Sequence, residues 1–258
     1  MNDPHVTTLH YALETKLTFS DPPPIHHSEQ GFDLDLESGK LTMTMLDHYT
    51  TIDAARKSVE PYLRAWEISA ALARQLRGRE LRFAFVRGEV IDRQPSSGNT
   101  VTLTGVDTGS ASDSAEITVT IPTYPSPPTN FVFDADTRTL WERYESYLLG
   151  REPLLSMAYF CLSVIDFRAG GGRKGWPTSS YKIDQQIRDY LGDLVSEYGD
   201  EATARKLDKK VGGFQPLQPE QEEWIRAVIR RLIGRVGEVA YNPSHPWPMI
   251  TMADFTQI

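Results

Sequence analysis

Two histidines and three acids in the N-terminal half have the side chains that metal sites and acid–base catalysis use. They are His26, His27, Asp33, Asp35 and Glu37. Zinc needs ligands that converge from different elements, but these acids recur at every second position, with apolar residues between them at 32, 34 and 36. Such alternation is typical of a strand with one buried and one wet face. We interpret the group as a solvated strand face without a metal, and a metal site is the alternative.

A second group lies in the glycine-rich stretch GGGRKGW, residues 170–176. Its glycines expose backbone amides, Arg173 and Lys174 add positive charge, and the indole of Trp176 could stack on a nucleic-acid base. The stretch follows a helical pattern rather than a strand, and it lacks the spacing of a phosphate-binding P-loop. We interpret it as a loop between helices, and contact with phosphate or RNA is the alternative.

Four arginines on the last predicted helix form the third group: Arg226, Arg230, Arg231 and Arg235. At about 100° per residue, the first two border one edge of an apolar stripe and the last two border the other. Such arginines usually extend over the core and pair with Asp or Glu. The alternative is that Arg226 and Arg230 bind nucleic acid together with the loop cations. Gly234 and Gly237 fall on the polar side of this helix, where a close neighbouring backbone, a partner helix or simple tolerance of glycine are the three possible explanations.

No recognised catalytic motif is present: there is no Gly-x-Ser-x-Gly elbow, no His-Glu-x-x-His zinc motif and no dinucleotide fingerprint. The single cysteine, Cys161, cannot form an internal disulfide and lies in an apolar stretch. We expect a buried thiol without a catalytic role. Whether the protein is an enzyme stays open at this point, and we expect neither a metal nor an organic cofactor.

The bulk composition limits the possible partners and compartments. Net charge is −8 and neither half of the chain is basic, which argues against a large non-specific nucleic-acid surface. The N-terminus shows no signal peptide. The apolar stretch Leu154–Phe167 would cover about 21 Å as a helix, too short for a bilayer core of about 30 Å. A single cysteine suits a reducing compartment, so we expect a cytoplasmic protein without membrane contact.

Residues 1–121 predict an antiparallel sheet with a helix on one face. Apolar and polar residues alternate at 8–19, 32–36 and 41–45, and the last two stretches are joined across Glu37–Lys40 as a β-hairpin.

A helical pattern follows the hairpin. Thr50 or Thr51 could cap it, it runs to about Leu76, and Pro61 is expected to kink it or split it in two. Further strands are predicted at 81–85, 89–92, 100–105 and 116–121.

Four prolines between 122 and 128 indicate an extended connection, and we predict a linker over 122–133. From 134 to 258 the periodicity is helical throughout. Five helices are predicted in this part. The first has an apolar stripe over Leu140–Leu148, the second is the central helix at 154–167, and the third has an apolar stripe over Ile183–Leu194. The fourth is short, at 200–209, and the last begins at Pro219. The predicted class is α+β: an N-terminal antiparallel sheet with one kinked helix, then an all-α helical domain.

The order of elements in 134–258 resembles the HEPN-like helical domains of bacterial conflict systems, which include toxin–antitoxin pairs and phage defence. The stretches REPLLSMAYFCLSVIDF and IRRLIGRVGEVA carry the resemblance. Active members of that family cleave RNA as dimers with an Arg followed four to six residues later by a His. Here the only His near the end of the last helix is His245, and Asn242-Pro243 separates it from Arg235. The resemblance therefore implies a non-catalytic member that serves in dimerisation or partner binding.

Our first hypothesis is a non-catalytic cytosolic interaction or sensor module that binds a protein partner or forms a homodimer. In the setting that the resemblance implies, it is an accessory component of a bacterial defence system. The alternative is an RNA-binding or RNA-cleaving HEPN-like effector that uses Arg173, Lys174, Trp176, Arg226 and Arg230. A third class is a small-molecule enzyme in which acids of the N-terminal sheet act as general acid and base.

Overall fold

The computed structural model describes residues 2–74, 81–94, 120–170, 175–198 and 216–255. The chain divides into two compact units, Met1–Thr129 and Asn130–Ile258, and each is described by itself. The division falls within the predicted linker 122–133. Four predictions lie wholly or mostly outside the described residues: the strands at 100–105 and 116–121, the helix at 200–209, and the loop cations Arg173 and Lys174.

Seven strands occur in the described part of the first unit. They are β1 (Pro4–Thr15), β2 (Thr18–Phe19), β3 (Ile25–Glu29), β4 (Phe32–Glu37), β5 (Lys40–Met45), β6 (Leu81–Asp92) and β7 (Thr120–Ile121). Five of them form an antiparallel sheet in the order β3-β4-β5-β1-β6, while β2 and β7 pair in parallel. The predicted antiparallel sheet is confirmed, and β3 is an extra strand whose polar sequence, IHHSE, did not indicate it.

The hairpin of β4 and β5 forms as predicted. Leu36 lies opposite Leu41, and the turn residues Ser38 and Gly39 have φ values of 50° and 72°. Two positive φ values in a two-residue loop match the twist of the flanking strands. The turn therefore fixes the register that brings the apolar residues of both strands to one face.

Helix α1 (Ile52–Arg74) covers that apolar face of the sheet. The N–H of Ala54 donates to the Thr51 hydroxyl at 3.2 Å, so Thr51 caps the helix. The α1 residues in the shared core are Ala55, Val59, Leu63 and Trp66. Pro61 lies inside one continuous helix. Of its two predicted effects, a kink or a split, the split does not occur, because apolar residues before and after Pro61 pack on the same sheet.

A single strand replaces the two strands predicted at 81–85 and 89–92. β6 pairs with β1 over nearly its full length, and two β-bulges interrupt the register. Thr7 is the extra residue in β1, and Val86 is the extra residue in β6. The break in alternation between the two predicted strands is therefore a bulge rather than a turn.

Part of the proline-rich segment packs on the first unit. The indole N–H of Trp66 donates to the carbonyl of Pro125 at 3.0 Å. Tyr124 is buried, and its hydroxyl accepts the N–H of Gly39 at 2.8 Å. Its ring also contacts Phe19, with the ring centroids 4.8 Å apart. The extended backbone that the prolines favour thus lets residues 124 and 125 reach the core.

The described part of the second unit is helical. Its elements are α2 (Ala135–Leu148), α3 (Leu154–Arg168), α4 (Gln185–Glu197), α5 (Pro219–Tyr241) and a 3-10 turn at Met252–Phe255. Asp134 and Asp184 cap α2 and α4 through their carboxylates, and Pro219 is the first residue of α5. The four longer predicted helices are confirmed. No helix in the described ranges is both long and apolar enough to cross a bilayer.

Helix α3 contacts α2, α4 and α5, as expected for the predicted central helix, and six of its fifteen residues are buried. Its buried residues are Leu155, Met157, Ala158, Cys161, Leu162 and Ile165. Burial raises the pKa of the Cys161 thiol to about 12, so the thiol stays protonated and unreactive at neutral pH. Phe167, at the last turn, is exposed.

Arg235 holds the C-terminal tail against the helices. Its side chain is fully buried, although a position at the edge of the apolar stripe was predicted for it. It donates to the carbonyls of Tyr181 and Pro248, the latter at 2.9 Å, and to the carboxylate of Glu238 at 2.7 Å. The planar guanidinium thereby satisfies carbonyls from two segments at once. The predicted packing of the tail on this unit is confirmed by the bridge between Ile183 and Ile250.

We predict that Arg235→Ala lowers the free energy of unfolding of this unit by about 3 kcal/mol or more, because buried carbonyls lose their donor. The control is Arg231→Ala, which also removes a bond to Glu238 but from a half-buried side chain, and should cost under about 1 kcal/mol. Urea unfolding followed by tryptophan fluorescence checks this, since four of the five tryptophans lie in this unit. Equal losses in both variants would contradict it.

Gly237 allows the start of the second unit to pack on α5. A Cβ built on Gly237 would lie 2.2 Å from the ring of Phe131, and the Gly237 carbonyl accepts the N–H of Val132 at 3.1 Å. Gly237 is therefore buried rather than on the polar side of the helix. A Cβ on Gly234 would have its nearest neighbour, the Arg231 guanidinium, at 3.6 Å.

We predict opposite effects for alanine at these two glycines. Gly237→Ala should lower the free energy of unfolding by about 1–3 kcal/mol, because the Phe131 ring must move. Gly234→Ala should raise it by up to about 1 kcal/mol through helix propensity. The same fluorescence titration measures both, and stabilisation by Gly237→Ala would refute the close packing.

Candidate interaction surface

The sheet face opposite α1 is polar and open to solvent. On each strand most of the large apolar residues turn toward α1, with Val86 at a bulge an exception, so the residues between them form rows across the other face. One row runs through four of the registered pairs and contains His26, Asp35, Thr42, His10 and Arg87. The next row contains Ser28, Asp33, Thr44, Thr8 and Glu89. We call these two rows, with Glu37, Lys40, Ala12, Ala84, Glu14 and Arg82 beside them, the open face.

His10 makes two side-chain contacts on the open face. Its Nε2 lies 3.0 Å from Glu89 Oε1, and its Nδ1 lies 3.5 Å from the Thr42 hydroxyl. Arg87 contacts the same Glu89 oxygen at 3.3 Å. The carboxylate favours the tautomer with hydrogen on Nε2, which leaves Nδ1 to accept from Thr42. The imidazole is thus held in one orientation from both sides.

Two bulges place these side chains. Thr7 and Val86 flank the short stretch in which Leu9 pairs with Gly88 and His10 pairs with Arg87. A Cβ on Gly88 would lie 2.9 Å from the side chain of Ile52, so only glycine lets α1 begin close to the sheet there. The bulge after Phe85 changes which β6 residues face α1, and this turns Arg87 and Glu89 outward.

Most charged side chains of the open face lie on β4 and β6, and the others are Lys40 on β5 and Glu14 on β1. β4 contributes three acids and no base, namely Asp33, Asp35 and Glu37. β6 contributes Arg82 and Arg87, with Glu89 already bonded to His10. Between them, β5 and β1 carry mainly short side chains: Thr8, Ala12, Thr42 and Thr44. β4 therefore forms an acidic stripe, β6 forms a mixed stripe with two arginines and Glu89, and the two strands between them carry mostly short side chains.

The predicted group of histidines and acids does not converge. His26 lies on the open face and bonds to Asp35. His27 points to the opposite face, bonds to Glu29 at 3.0 Å and stacks on Tyr62. Neighbouring strand residues point to opposite sides, so the pair cannot chelate one ion. Within the described residues, no three His, Cys, Asp or Glu side chains come together in a way that could hold a metal.

Trp176 is fully buried in the second unit, not exposed on a loop. Its indole N–H donates to Asp166 at 2.8 Å, and Asp166 also accepts two bonds from Arg188, at 3.2 and 2.8 Å. The stacking role considered for Trp176 needs an accessible ring, and this ring is closed off from solvent. The indole instead helps to orient a partly buried ion pair.

The two arginines considered for nucleic-acid binding are paired with acids of their own helix. Arg226 donates to Glu222 at 2.6 Å, to Glu223 at 2.8 Å and to the Tyr147 hydroxyl at 2.8 Å. Arg230 contacts Glu223 at 3.4 Å. This is the pairing over the core that we favoured from the sequence. Each arginine would have to leave its acids to bind a phosphate.

The sequence did not single out His10, Thr42, Arg87 or Glu89. Their proximity depends on the register of three strands and on two bulges, and neither can be read from one strand's pattern. Gly88 inside a strand pattern was the one available signal of a bulge. Comparisons with protein-family models, with curated proteins and with solved structures find no match to this chain.

A stacked histidine pair lies at one end of the sheet. The rings of His5 and His48 have centroids 5.2 Å apart, and their Nδ1 atoms are 3.2 Å apart. Asp3 lies 3.5 Å from the other nitrogen of His48. His5 is buried, and burial together with the charges of Arg93 and His48 lowers the pKa of His5 below its ordinary 6.5.

We predict that this pair makes the first unit less stable in acid. Because the folded-state pKa of His5 is lowered, the unfolded chain takes up the proton first as pH falls below about 6.5, and stability is lost until the folded-state pKa is passed. His5→Asn should therefore lose less stability than wild type between pH 7.5 and 5.0 in urea titrations followed by circular dichroism. His245→Asn, at an exposed position, is the control and should behave as wild type. An unchanged pH dependence in His5→Asn would contradict the prediction.

Proposed function

We propose that this protein is a non-catalytic cytosolic interaction module, and that the open face of its sheet is the surface that binds a protein partner. The main observation in support of this proposal is that two rows of polar side chains cross all five strands in register. A rigid sheet holds these groups in place before binding, so less conformational entropy is lost when a partner arrives. The hydrogen bonds between His10 and Glu89 and between His26 and Asp35 restrict these side chains further.

Exposure favours binding over catalysis at this face. Acid–base and electrostatic catalysis is strongest where water is excluded and the reacting groups lie in a cleft. The acids here stand on an open surface: Asp35 and Glu37 are exposed, and the His10–Glu89 pair is only part-buried. We therefore rank a small-molecule enzyme below an interaction module.

In this proposal the chain has two domains with separate tasks. The sheet unit recognises the partner, and the helical unit docks a further partner or a second copy. The HEPN-like order of helices supports a non-catalytic helical domain and would place the protein among accessory components of bacterial defence systems. This setting rests on the resemblance alone.

RNA binding or cleavage remains the alternative outcome of the test. The pairing of Arg226 and Arg230 with glutamates, and the burial of Trp176, weigh against it. Arg173 and Lys174 lie outside the described residues, so their contribution stays a prediction from the sequence.

The test is a pull-down of the tagged full chain from its native host, with bound protein and nucleic acid both identified. The open-face variant Asp35→Lys plus Glu37→Lys is compared with Glu142→Lys plus Asp193→Lys, which makes the same charge change at exposed positions on α2 and α4. With formaldehyde cross-linking before lysis, so that a weak complex is also retained, we expect recovery of a protein with wild type and control, and at least about tenfold less with the open-face variant.

Two results would contradict the proposal. Equal recovery with both double variants would remove the open face as the binding surface. Recovery of RNA without protein would favour the alternative, and the ends of that RNA would show whether it is cleaved.

A further inference from the structure

We propose that a second copy of this chain occupies the open face, packed face to face about a two-fold axis that runs parallel to the strands. This inference rests on the proposed function of the face as a protein-binding surface, and it names the partner. The observation behind it is that Asp35 on β4 and Arg87 on β6 lie in one row, at equal distances from the line between β5 and β1.

The strand order places the two charged stripes symmetrically. In the order β3-β4-β5-β1-β6, β4 and β6 lie equally far from the line between β5 and β1, about 7 Å to each side at the usual strand spacing. A two-fold axis along that line brings β4 of one copy over β6 of the other, and β5 over β1. This rotation does not change the position of a residue along the strands, so each row of one copy lies over the same row of the other. Every contact between two different residues is therefore made twice.

In the row that contains His26, Asp35, Thr42, His10 and Arg87, this symmetry pairs opposite charges. Asp35 of β4 and Arg87 of β6 share that row, so each would face the other across the interface. Both are accessible, with 51% of the Asp35 side chain and 47% of the Arg87 side chain exposed. The next acid on β4, Glu37, would lie one row from Arg82. In the remaining row Asp33 would face Glu89, a like-charged pair that weakens the contact.

The centre of the face is shaped for close approach. The symmetry sets Lys40 against Ala12 and His10 against Thr42, while Glu14 lies beyond the last registered residue of β5. Thr8 faces Thr44. Two stacked sheets lie about 10 Å apart, a spacing that short opposing side chains allow.

The size of the face sets the expected strength. Four strands of each copy overlap, because β3 has no strand opposite it, and over six residues they span about 19 Å by about 20 Å, or roughly 380 Å² of projected area for each copy. That is at the low end for specific interfaces. The dimer should therefore be weak, with a dissociation constant in the range of about 10–100 µM, and it should weaken as salt rises.

A charge-swap experiment on the full chain tests this by sedimentation velocity from about 1 to 300 µM in low salt. Wild type should dimerise. Asp35→Arg alone and Arg87→Asp alone should each weaken the dimer by about tenfold or more, because like charges then meet across the axis.

An equimolar mixture of the two variants should recover a heterodimer of near wild-type affinity. In that heterodimer the arginine introduced at position 35 of one copy meets the aspartate introduced at position 87 of the other. The second contact joins the unaltered Arg87 of the first copy to the unaltered Asp35 of the second. Glu142→Arg, exposed on α2, is the control and should leave the dissociation constant unchanged.

Three outcomes would overturn the inference: a wild-type monomer throughout the range, a dimer that neither single variant weakens, or a mixture that stays monomeric. The failure of the proposed function is distinguishable from these. If wild type is monomeric but the Asp35→Lys plus Glu37→Lys variant still loses its partner in the pull-down, the open face binds a different protein and only the identity of the partner is wrong.

Discussion

Burial of one sheet face under α1 is the constraint on which the first unit depends. Leu34, Met43 and Leu9 are opposite one another in three neighbouring strands, and all are fully buried. A one-residue slip would carry them to solvent, so the apolar core fixes the register of every strand. The same register lines up the polar residues between them. The apolar core thus determines which polar side chains lie next to one another on the open face. The binding surface proposed there depends on this alignment.

A different interaction organises the second unit. Its C-terminal tail has little regular structure, and Arg235 fastens it by donating to carbonyls of two separate segments. The charge is buried together with Glu238 and backbone acceptors, which compensates the loss of water. An apolar residue could fill the same space but would leave those carbonyls without donors. Arg235 therefore has a structural role inside the unit, whereas the other arginines of α5 extend over the core and pair with acids.

Local sequence patterns predicted the helices and strands well, but they predicted the contacts between these elements poorly. The hairpin across Ser38-Gly39 and the helices of the second unit followed from periodicity and turn chemistry, because both act within a few residues. The continuous β6, the buried Trp176 and the His10–Glu89 pair depend on contacts between residues far apart in the chain. The polar strand β3 is held by its pairing with β4 rather than by its own propensity, so tertiary context decided it.

The most direct test of the central claim is carboxyl-group footprinting of the native complex, read by mass spectrometry. Labelling of Asp35 and Glu37 is compared between the isolated protein and the protein with its partner bound. We expect both carboxylates to be protected in the complex while exposed Glu142 is labelled equally in the two samples. Unchanged labelling of Asp35 and Glu37 would contradict the account, because the partner would then be bound elsewhere on the chain.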